Sequence, residues 1–251
     1  MLIQFKVNNF KSIKDTVTFS LNTATKDKNN SFKIRNYELL TSSVIYGANA
    51  TGKSNLLQAM AFMRNMVLNK HKITQSTDSL PHQPFKLNIE TETASSTFEM
   101  VFFVGEVKYR YGFEADNQQV YSEWLFQDTK GKEAKLFFRD VDESSDLYVN
   151  PQRFKEGYAN SSKKDRELKV LPNHLFIWKC DQEGGEISSL ILNWFKNLNF
   201  INGLENDGYI DFTMKQIESA DFKNHIVSLV KIADLGISNV GIEKIPYLRN
   251  Q

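Results

Sequence analysis

Cysteine is almost missing from this 251-residue chain: Cys180 stands alone, so no intramolecular disulfide can staple the fold. Four histidines, His71, His82, His174 and His225, are scattered with no cysteine or second histidine at ligand spacing, which argues against a zinc site. Long apolar runs are absent too. Nothing approaches the ~18 residues of a membrane span, and the opening MLIQFKVNNFK lacks the apolar core and small-residue cleavage site of a signal peptide. No G-x-S-x-G, no internal repeat and no carboxylate pair distinct from solvated charge can be found. These absences lead to the expectation of a cytoplasmic protein with no membrane partner, in which Cys180 is a small buried hydrophobe.

What is present supports a globular chain. Hydrophobic residues make up 41% of the sequence, enough for one large domain or two small ones. Net charge is only +1, but its distribution is uneven: residues 1–60 carry +5 and the remainder −4. A basic nucleotide-binding face accounts for that bias, and so does a face that makes non-specific phosphate contacts to DNA or RNA.

The most informative stretch is IYGANATGKSNLLQAM, residues 45–60, which fits G-x-x-x-x-G-K-[ST] with Gly47, Gly52, Lys53 and Ser54. Glycines open backbone conformations that let consecutive N–H groups turn inward around phosphate oxygens. Lys53 is placed to reach the β- and γ-phosphates, and the Ser54 hydroxyl to be a ligand of Mg²⁺. Val44, Ile45 and Tyr46 predict a short buried parallel strand entering the loop. Leu56, Met60, Met63 and Val67 recur at helical spacing after it, so the helix would aim its N-terminal dipole at the same charge.

Elsewhere, Ile3, Phe5 and Val7 alternate with polar residues, as do Val17, Phe19 and Leu21, predicting two half-buried strands around NNFKSIKD. Asn22 to Asn36 reads as an exposed loop, and HKITQSTDSLPHQP as another, with Pro81 and Pro84 excluding a regular helix. An antiparallel set is predicted over Phe85–Ile89, Phe98–Val104, Val107–Glu114 and Val120–Phe126, with Gly105-Glu106 and Asp116-Asn117 at turns. Tyr109, Tyr111 and Phe113 then share a face and read as packing rather than a base-stacking platform. Charge, Ser and Asn dominate from Asp140 to Lys169, as in a mobile insertion or boundary. Ile187, Leu190, Ile191, Trp194 and Leu198 mark one amphipathic helix. Phe222, Ile226, Leu229, Val230 and Ala233 mark the buried stripe of a second, stopped by Gly236, and Val240 and Ile242 predict a further strand.

MLIQFKVNNFKSIKD, IYGANATGKSNLLQAM, PFKLNIE, YRYGFEADNQQVYSEWL, the WF of LILNWFKN and ADLGISNVGIEKI together resemble the ATP-binding proteins of the RecF/SMC superclass of ABC ATPases. More narrowly they resemble the bacterial AAA-15/AAA-21 group, found among abortive-infection and phage-defence ATPases and relatives of OLD-family nucleases. The resemblance covers nearly the whole chain, and its NFKSIKD hairpin is more selective than the phosphate loop. It implies an α/β fold, a P-loop NTPase lobe of ABC-ATPase type with an antiparallel β-subdomain and a helical insertion. Residues 1–140 would form the phosphate-loop and sheet part, 141–236 a charged loop and helical insertion, and 237–251 the start of a further strand region.

The resemblance further implies ATP and Mg²⁺ bound between two subunits, hence a homodimer or an effector partner. Lys53 and Ser54 match the phosphate and Mg²⁺ positions, while Asn49, Ala50, Thr51, Gly52 and Asn55 match the backbone cradle. Lys11 and Ser12 lie where the family's N-terminal hairpin approaches the nucleotide. A glutamine after the first helix contacts Mg²⁺ or the attacking water; Gln83 is the candidate, with Gln118 and Gln119 as alternatives.

One departure is large. The family's serine/glycine signature, Asp-Glu strand and switch histidine lie beyond the ADLGI segment, and none is found before Gln251. LFIWKCDQEGG is the nearest imitation, with Asp181 and Glu183, but Lys179 and Cys180 intervene and Gln182 stands where the base belongs, so an ordinary strand-to-loop exit is predicted there. Asp181 to Gly184 also spaces as a GTPase D-x-x-G, without an N-K-x-D partner. Three readings stay open: an ATPase acting with nucleic acid or an effector once completed by further sequence, a nucleotide-binding interaction module without hydrolysis, and a stand-alone P-loop kinase or GTPase. On the first, the chain alone binds ATP without efficient hydrolysis.

Overall fold

A computed structural model describes residues 1–23, 30–49, 51–141, 147–161, 168–201, 207–233 and 236–243. The chain divides into two units, residues 1–199 and 200–251. The first is built on a seven-stranded antiparallel sheet in the order β2-β1-β5-β6-β7-β8-β9. Its strands are β1 (Leu2–Asn8), β2 (Val17–Ser20), β5 (Ser96–Val104), β6 (Val107–Ala115), β7 (Val120–Asp128), β8 (Glu133–Asp140) and β9 (Tyr148–Val149), and β3 (Ser31–Ile34) with β4 (Tyr37–Leu40) forms a separate hairpin. The fold is thus mixed α/β with a mostly antiparallel sheet, in keeping with the expected class.

The alternation read in β1 holds: Ile3, Phe5 and Val7 are buried and their neighbours half-buried. Register aligns Phe5 with Met100 and Val7 with Phe98, and carries Tyr109, Tyr111 and Phe113 into the same apolar layer. All three are buried, as packing residues should be. Gly105 has φ +56 in the two-residue turn joining Val104 to Val107, a backbone conformation that glycine adopts without strain.

Helices cover this apolar face. They are α1 (Lys53–Val67), α3 (Lys155–Ala159), α4 (Phe176–Gln182) and α5 (Glu186–Lys196). Phe62 stacks on Phe98 at 5.0 Å, Trp194 on Phe102 at 3.8 Å, and Phe154 on Phe137 at 5.3 Å. The fully buried rings among them, Phe98, Phe102, Phe137 and Phe154, each contribute roughly 1.5–3 kcal/mol. Side-chain bonds tie the helices together: Trp178 Nε1 donates to the Val67 carbonyl at 2.7 Å, Arg64 Nε to that of Phe195 at 3.2 Å, and Glu156 of α3 accepts from the Ile187 and Ser188 N–H groups of α5 at 3.1 and 2.7 Å.

Under the same layer lies a buried polar centre. Glu123, fully buried, accepts from Tyr111 Oη, Arg139 Nε and the backbone N–H groups of Phe176 and Ile177 at 3.0, 3.1, 2.6 and 3.1 Å. The last two are free amides of the first turn of α4, so Glu123 caps that helix from the sheet. On the opposite face β3–β4 packs Leu39 with Ile3, Val101 and Phe103. Arg35 fastens this hairpin by donating to the Asp128 carbonyl at 2.8 Å and carboxylate at 2.9 Å.

Several expectations are corrected. Val44, Ile45 and Tyr46 form no strand and are 68, 36 and 87% exposed, because every strand pairing among the described residues is antiparallel and none reaches this segment. Phe85–Ile89 is not a strand: Asn88 accepts from the N–H groups of Glu90 and Thr91 and starts α2 (Ile89–Glu92). Residues 31–34, expected within an exposed loop, pair with β4. The LFIWKCDQ run is the helix α4 rather than a strand exit, burying Phe176, Ile177, Trp178 and Cys180. Burial pushes the Cys180 thiol well up, in keeping with a small buried hydrophobe. Between residues 140 and 169, β9 and α3 pack against the sheet unit through Phe154, while residues 142–146 and 162–167 lie outside the described residues.

Helix α5 forms as expected, but its buried stripe is Ser188, Ile191, Leu192 and Phe195, with Leu190 exposed. In the second unit, α6 (Asp207–Ile217) and α7 (Ala220–Ile232) meet through Phe212 and Phe222 at 6.5 Å. The expected stripe of α7 is helical but not buried: Leu229 is 66% exposed. Val240 and Ile242 lie outside any strand.

Candidate functional site

The β1–β2 hairpin reaches the phosphate loop through its tip. Phe10 and Ile13 close the tip with reciprocal backbone bonds of 2.8 Å, leaving Lys11 and Ser12 between them. Asn9 and Lys11 have φ of 52° and 50°, which bends the chain sharply around Phe10. Phe10 packs on Phe62 of α1 at 5.2 Å, seating the tip on the helix. Lys11 Nζ donates to Gln58 Oε1 at 2.6 Å, and Asn55 Nδ2 to Ser12 Oγ at 2.6 Å.

In the loop, Lys53 curls its ammonium back onto the carbonyls of Gly47 and Ala48 at 2.6 and 2.5 Å, and Thr51 Oγ1 donates to the Ala48 carbonyl at 2.8 Å. Gly52 has φ +89, and a β-carbon there would meet Ser12 Oγ at 3.0 Å, so the hairpin and the loop approach at a glycine. Helix α1 begins at Lys53 with no side-chain cap and no acidic residue in its first turn, leaving its first N–H groups open to an anion. Ser54 and Asn49 are exposed, and Ala50 lies outside the described residues.

A cavity of about 620 Å³, within the range of small-molecule sites, runs between hairpin and loop. Gly47, Thr51, Gly52 and Lys53 form one wall and Ser12 to Val17 the other. Asp15 is the one carboxylate among the described residues lining it. The geometry can hold a polyanion: the Lys53 ammonium, an uncapped helix start and a glycine-hinged loop face one space, with Lys14 on the facing wall.

Gln83 is brought to the same hairpin, its carbonyl accepting from the Lys11 N–H at 2.7 Å, with its side chain exposed. Gln118 and Gln119 are not. They sit in the β6–β7 turn, where Asp116 Oδ1 accepts from their N–H groups at 2.7 and 2.9 Å. Asp181 and Glu183 belong to α4 and its exit and line no part of the phosphate-loop cavity; Glu183 pairs with Lys179 one turn back. As a helical residue, Asp181 does not end a strand in the way D-x-x-G chemistry requires.

Reasoning from sequence missed Asn9. Its Nδ2 donates to the carbonyls of Thr91, Ala94 and Ser95 at 2.8, 2.9 and 3.0 Å, and its Oδ1 accepts from Phe85 N at 2.9 Å. One buried amide therefore fixes the Gln83–Ser95 segment to the hairpin. The NNF stretch contains that signal, but only the left-handed backbone at Asn9 reveals it.

Against models of known families, residues 42–248 match one described as "AAA domain, putative AbiEii toxin, Type IV TA system". Among curated proteins nothing matches. No helix among the described residues is long and apolar enough to cross a membrane.

Proposed function

Because the chain belongs to the AAA-domain family described as putative AbiEii toxin of type IV toxin–antitoxin systems, we propose that it binds ATP with Mg²⁺ through Gly47–Asn55. We further propose that it serves an abortive-infection or phage-defence ATPase that acts on nucleic acid or on an effector. The observation carrying this reading is the seam at Gly52, where the Lys11–Ser12 tip is hydrogen-bonded to the helix that starts at Lys53.

The residues present suit the nucleotide. Lys53 would exchange two loop carbonyls for phosphate oxygens, and the uncapped N–H groups of α1 would accept negative charge without rearrangement. Mg²⁺ would neutralise phosphate charge when bound, and Ser54, with Gln83, would hold it. Lys11 and Ser12 orient the loop from the hairpin side. Among the described residues Asp15 alone offers a carboxylate in this cavity, and hydrolysis needs a positioned water and a donor facing the transferring group. The proposal therefore assigns this chain nucleotide positioning without efficient turnover, with the acidic base supplied by an effector partner. The surplus of cations in residues 1–60 supports non-specific phosphate contacts to DNA or RNA.

Calorimetric titration of ATP–Mg²⁺ tests the site. Lys53→Ala should weaken binding about tenfold to a hundredfold, the loss of one charge-assisted contact of roughly 1.5–3 kcal/mol. Phosphate release by the chain should not exceed that of Lys53→Ala. Equal affinity for the two proteins would refute the assignment, and robust turnover abolished by Asp181→Asn would favour a self-contained P-loop enzyme.

A further inference from the structure

Behind the hairpin tip lies a second cavity, of about 450 Å³, which the nucleotide reading leaves unused. Lys11, Ser12, His82, Gln83, Lys86 and Leu87 line it, and no carboxylate does among the described residues. In a chain of nearly balanced charge, a concavity furnished with two lysines, a hydroxyl and an imidazole is an electropositive one. Lys86 is exposed and makes no hydrogen bond or ion pair among the described residues. Lys11 Nζ has one partner, Gln58, and two donor positions to spare.

His82 gives an independent sign of a ligand. Its Nε2 is buried and has no hydrogen-bond partner, while the ring interacts with the Ala94 carbonyl. A buried polar atom without a partner costs about 1–3 kcal/mol, a cost that a turn of the ring toward a ligand in the cavity would relieve. Ser12 lines both this cavity and the one beside the phosphate loop, so the two spaces share a wall.

We propose that this second cavity is an anion site that takes a phosphate group, held by Lys11, Ser12, His82 and Lys86. It stands beside the nucleotide site and shares with it Lys11, Ser12 and Gln83. A free phosphate or nucleotide and the backbone of a single nucleic-acid strand present the same chemistry to it. Occupation would draw Lys11 away from Gln58 and thereby reach α1, coupling the second anion to the loop.

The groups facing His82 are the Ala94 carbonyl, Asp116, Lys11 and Lys86. Burial lowers the proton affinity of His82 below the ordinary histidine value, against a smaller opposing pull from Asp116. The imidazole therefore gains its charge only below the ordinary histidine value of 6.5, and an anion of fixed charge should bind more tightly at pH 5 than at pH 7.

The test uses the full chain carrying Lys53→Ala, which disables the phosphate loop, with sulfate as a probe of pH-independent charge. Calorimetry should show sulfate binding that weakens roughly tenfold in Lys86→Ala, an exposed position whose substitution leaves folding intact, while Leu87→Ala changes nothing. His82→Gln should flatten the pH dependence. A fifteen-nucleotide oligothymidylate separates the sources. If a strand is the ligand, it binds, competes with sulfate, and loses about one unit of salt slope in Lys86→Ala; if free phosphate is, it does neither while sulfate still binds. No sulfate binding, or binding unaffected by both Lys86→Ala and His82→Gln, would overturn the site. ATP titration of the wild-type chain is read separately, so either failure is recognised without the other.

Discussion

Substituting Glu123→Gln probes the buried polar centre with almost no change of shape. The carboxylate faces donors only: Tyr111 Oη, the Arg139 guanidinium and two amides of α4. An amide in its place keeps one acceptor, aims an NH₂ at groups that are themselves donors, and leaves Arg139 charged with its side chain only 8% exposed. Breaking a buried ion pair by removing one partner costs about 3–5 kcal/mol, since the remaining charge has no compensation. At about 2–4 °C per kcal/mol for a domain of this size, the midpoint of thermal unfolding should fall by about 6–20 °C. Urea unfolding followed by tryptophan fluorescence measures the free energy directly, and Trp178 in α4 reports on the helix that Glu123 caps. Glu90→Gln, on the short exposed α2, is the control and should stay within about 0.5 kcal/mol. If Glu123→Gln lies within 1 kcal/mol of wild type at unchanged slope, by the same criterion, the claim that this carboxylate holds sheet and helix together is wrong.

Asp128 carries a pH dependence. Burial acts to raise its carboxyl, but the hydrogen bond from Arg35, the Gly131 N–H and the nearby Lys108 outweigh it and hold the group below its ordinary value of 3.8. A depressed carboxylate stabilises the fold fully above the unfolded value and loses that contribution as pH falls through the folded one; Asp128→Asn should therefore cost stability at pH 7 and flatten the acid limb below 3.8, as read from denaturation at a series of pH values. Asn9→Ala removes four hydrogen bonds from one buried side chain and should release residues 85–95, seen as faster limited proteolysis there with a loss of about 1–3 kcal/mol; an unchanged cleavage pattern would contradict that role. Gly52→Ala puts a side chain at φ +89 against Ser12 Oγ and should abolish ATP binding at a stability cost of about 1–2 kcal/mol, checked by calorimetry beside thermal unfolding.

Much of the site could be read from sequence because fixed spacing encodes it. Gly47, Gly52, Lys53 and Ser54 are recognisable wherever they occur, and the placement of Lys11 and Ser12 against them followed from the NFKSIKD resemblance. Strict alternation likewise located β1, and hydrophobic β-rich runs between short turns located β5, β6 and β7. Where the pattern suited two structures, it misled. Phe176, Ile177 and Trp178 are consecutive and apolar, as in a buried strand or a wholly covered helix, and the capping oxygens that decide for helix come from Glu123, more than fifty residues away. Glu133–Asp140 mixes charge with aromatics because Glu133 pairs with Lys108 and Arg110 of β6 and the buried Arg139 with Glu123 of β7, which hid β8. Val44–Tyr46 and the stripe of α7 show the other limit: periodicity identifies a face that can be buried, not whether anything covers it.

The order of strands in the sheet also dictates an order of events during synthesis. Strands β5 to β9 are neighbours in chain order, and short turns join β5 to β6, β6 to β7 and β7 to β8, so each can pair as soon as its successor has left the ribosome. β1 emerges first of all and can pair at once with β2, yet its other neighbour, β5, lies about 95 residues later, with Phe5 opposite Met100. Phe5 and Val7 must therefore wait for the strand on their other side while the phosphate loop and its helix are translated. A nascent chain halted before residue 96 has all of Gly47–Asn55 but not the central strand beside the hairpin that walls the phosphate-loop cavity. On the proposed function, nucleotide can thus act as a folding ligand only late in translation, and the early chain depends on whatever shields its first strand.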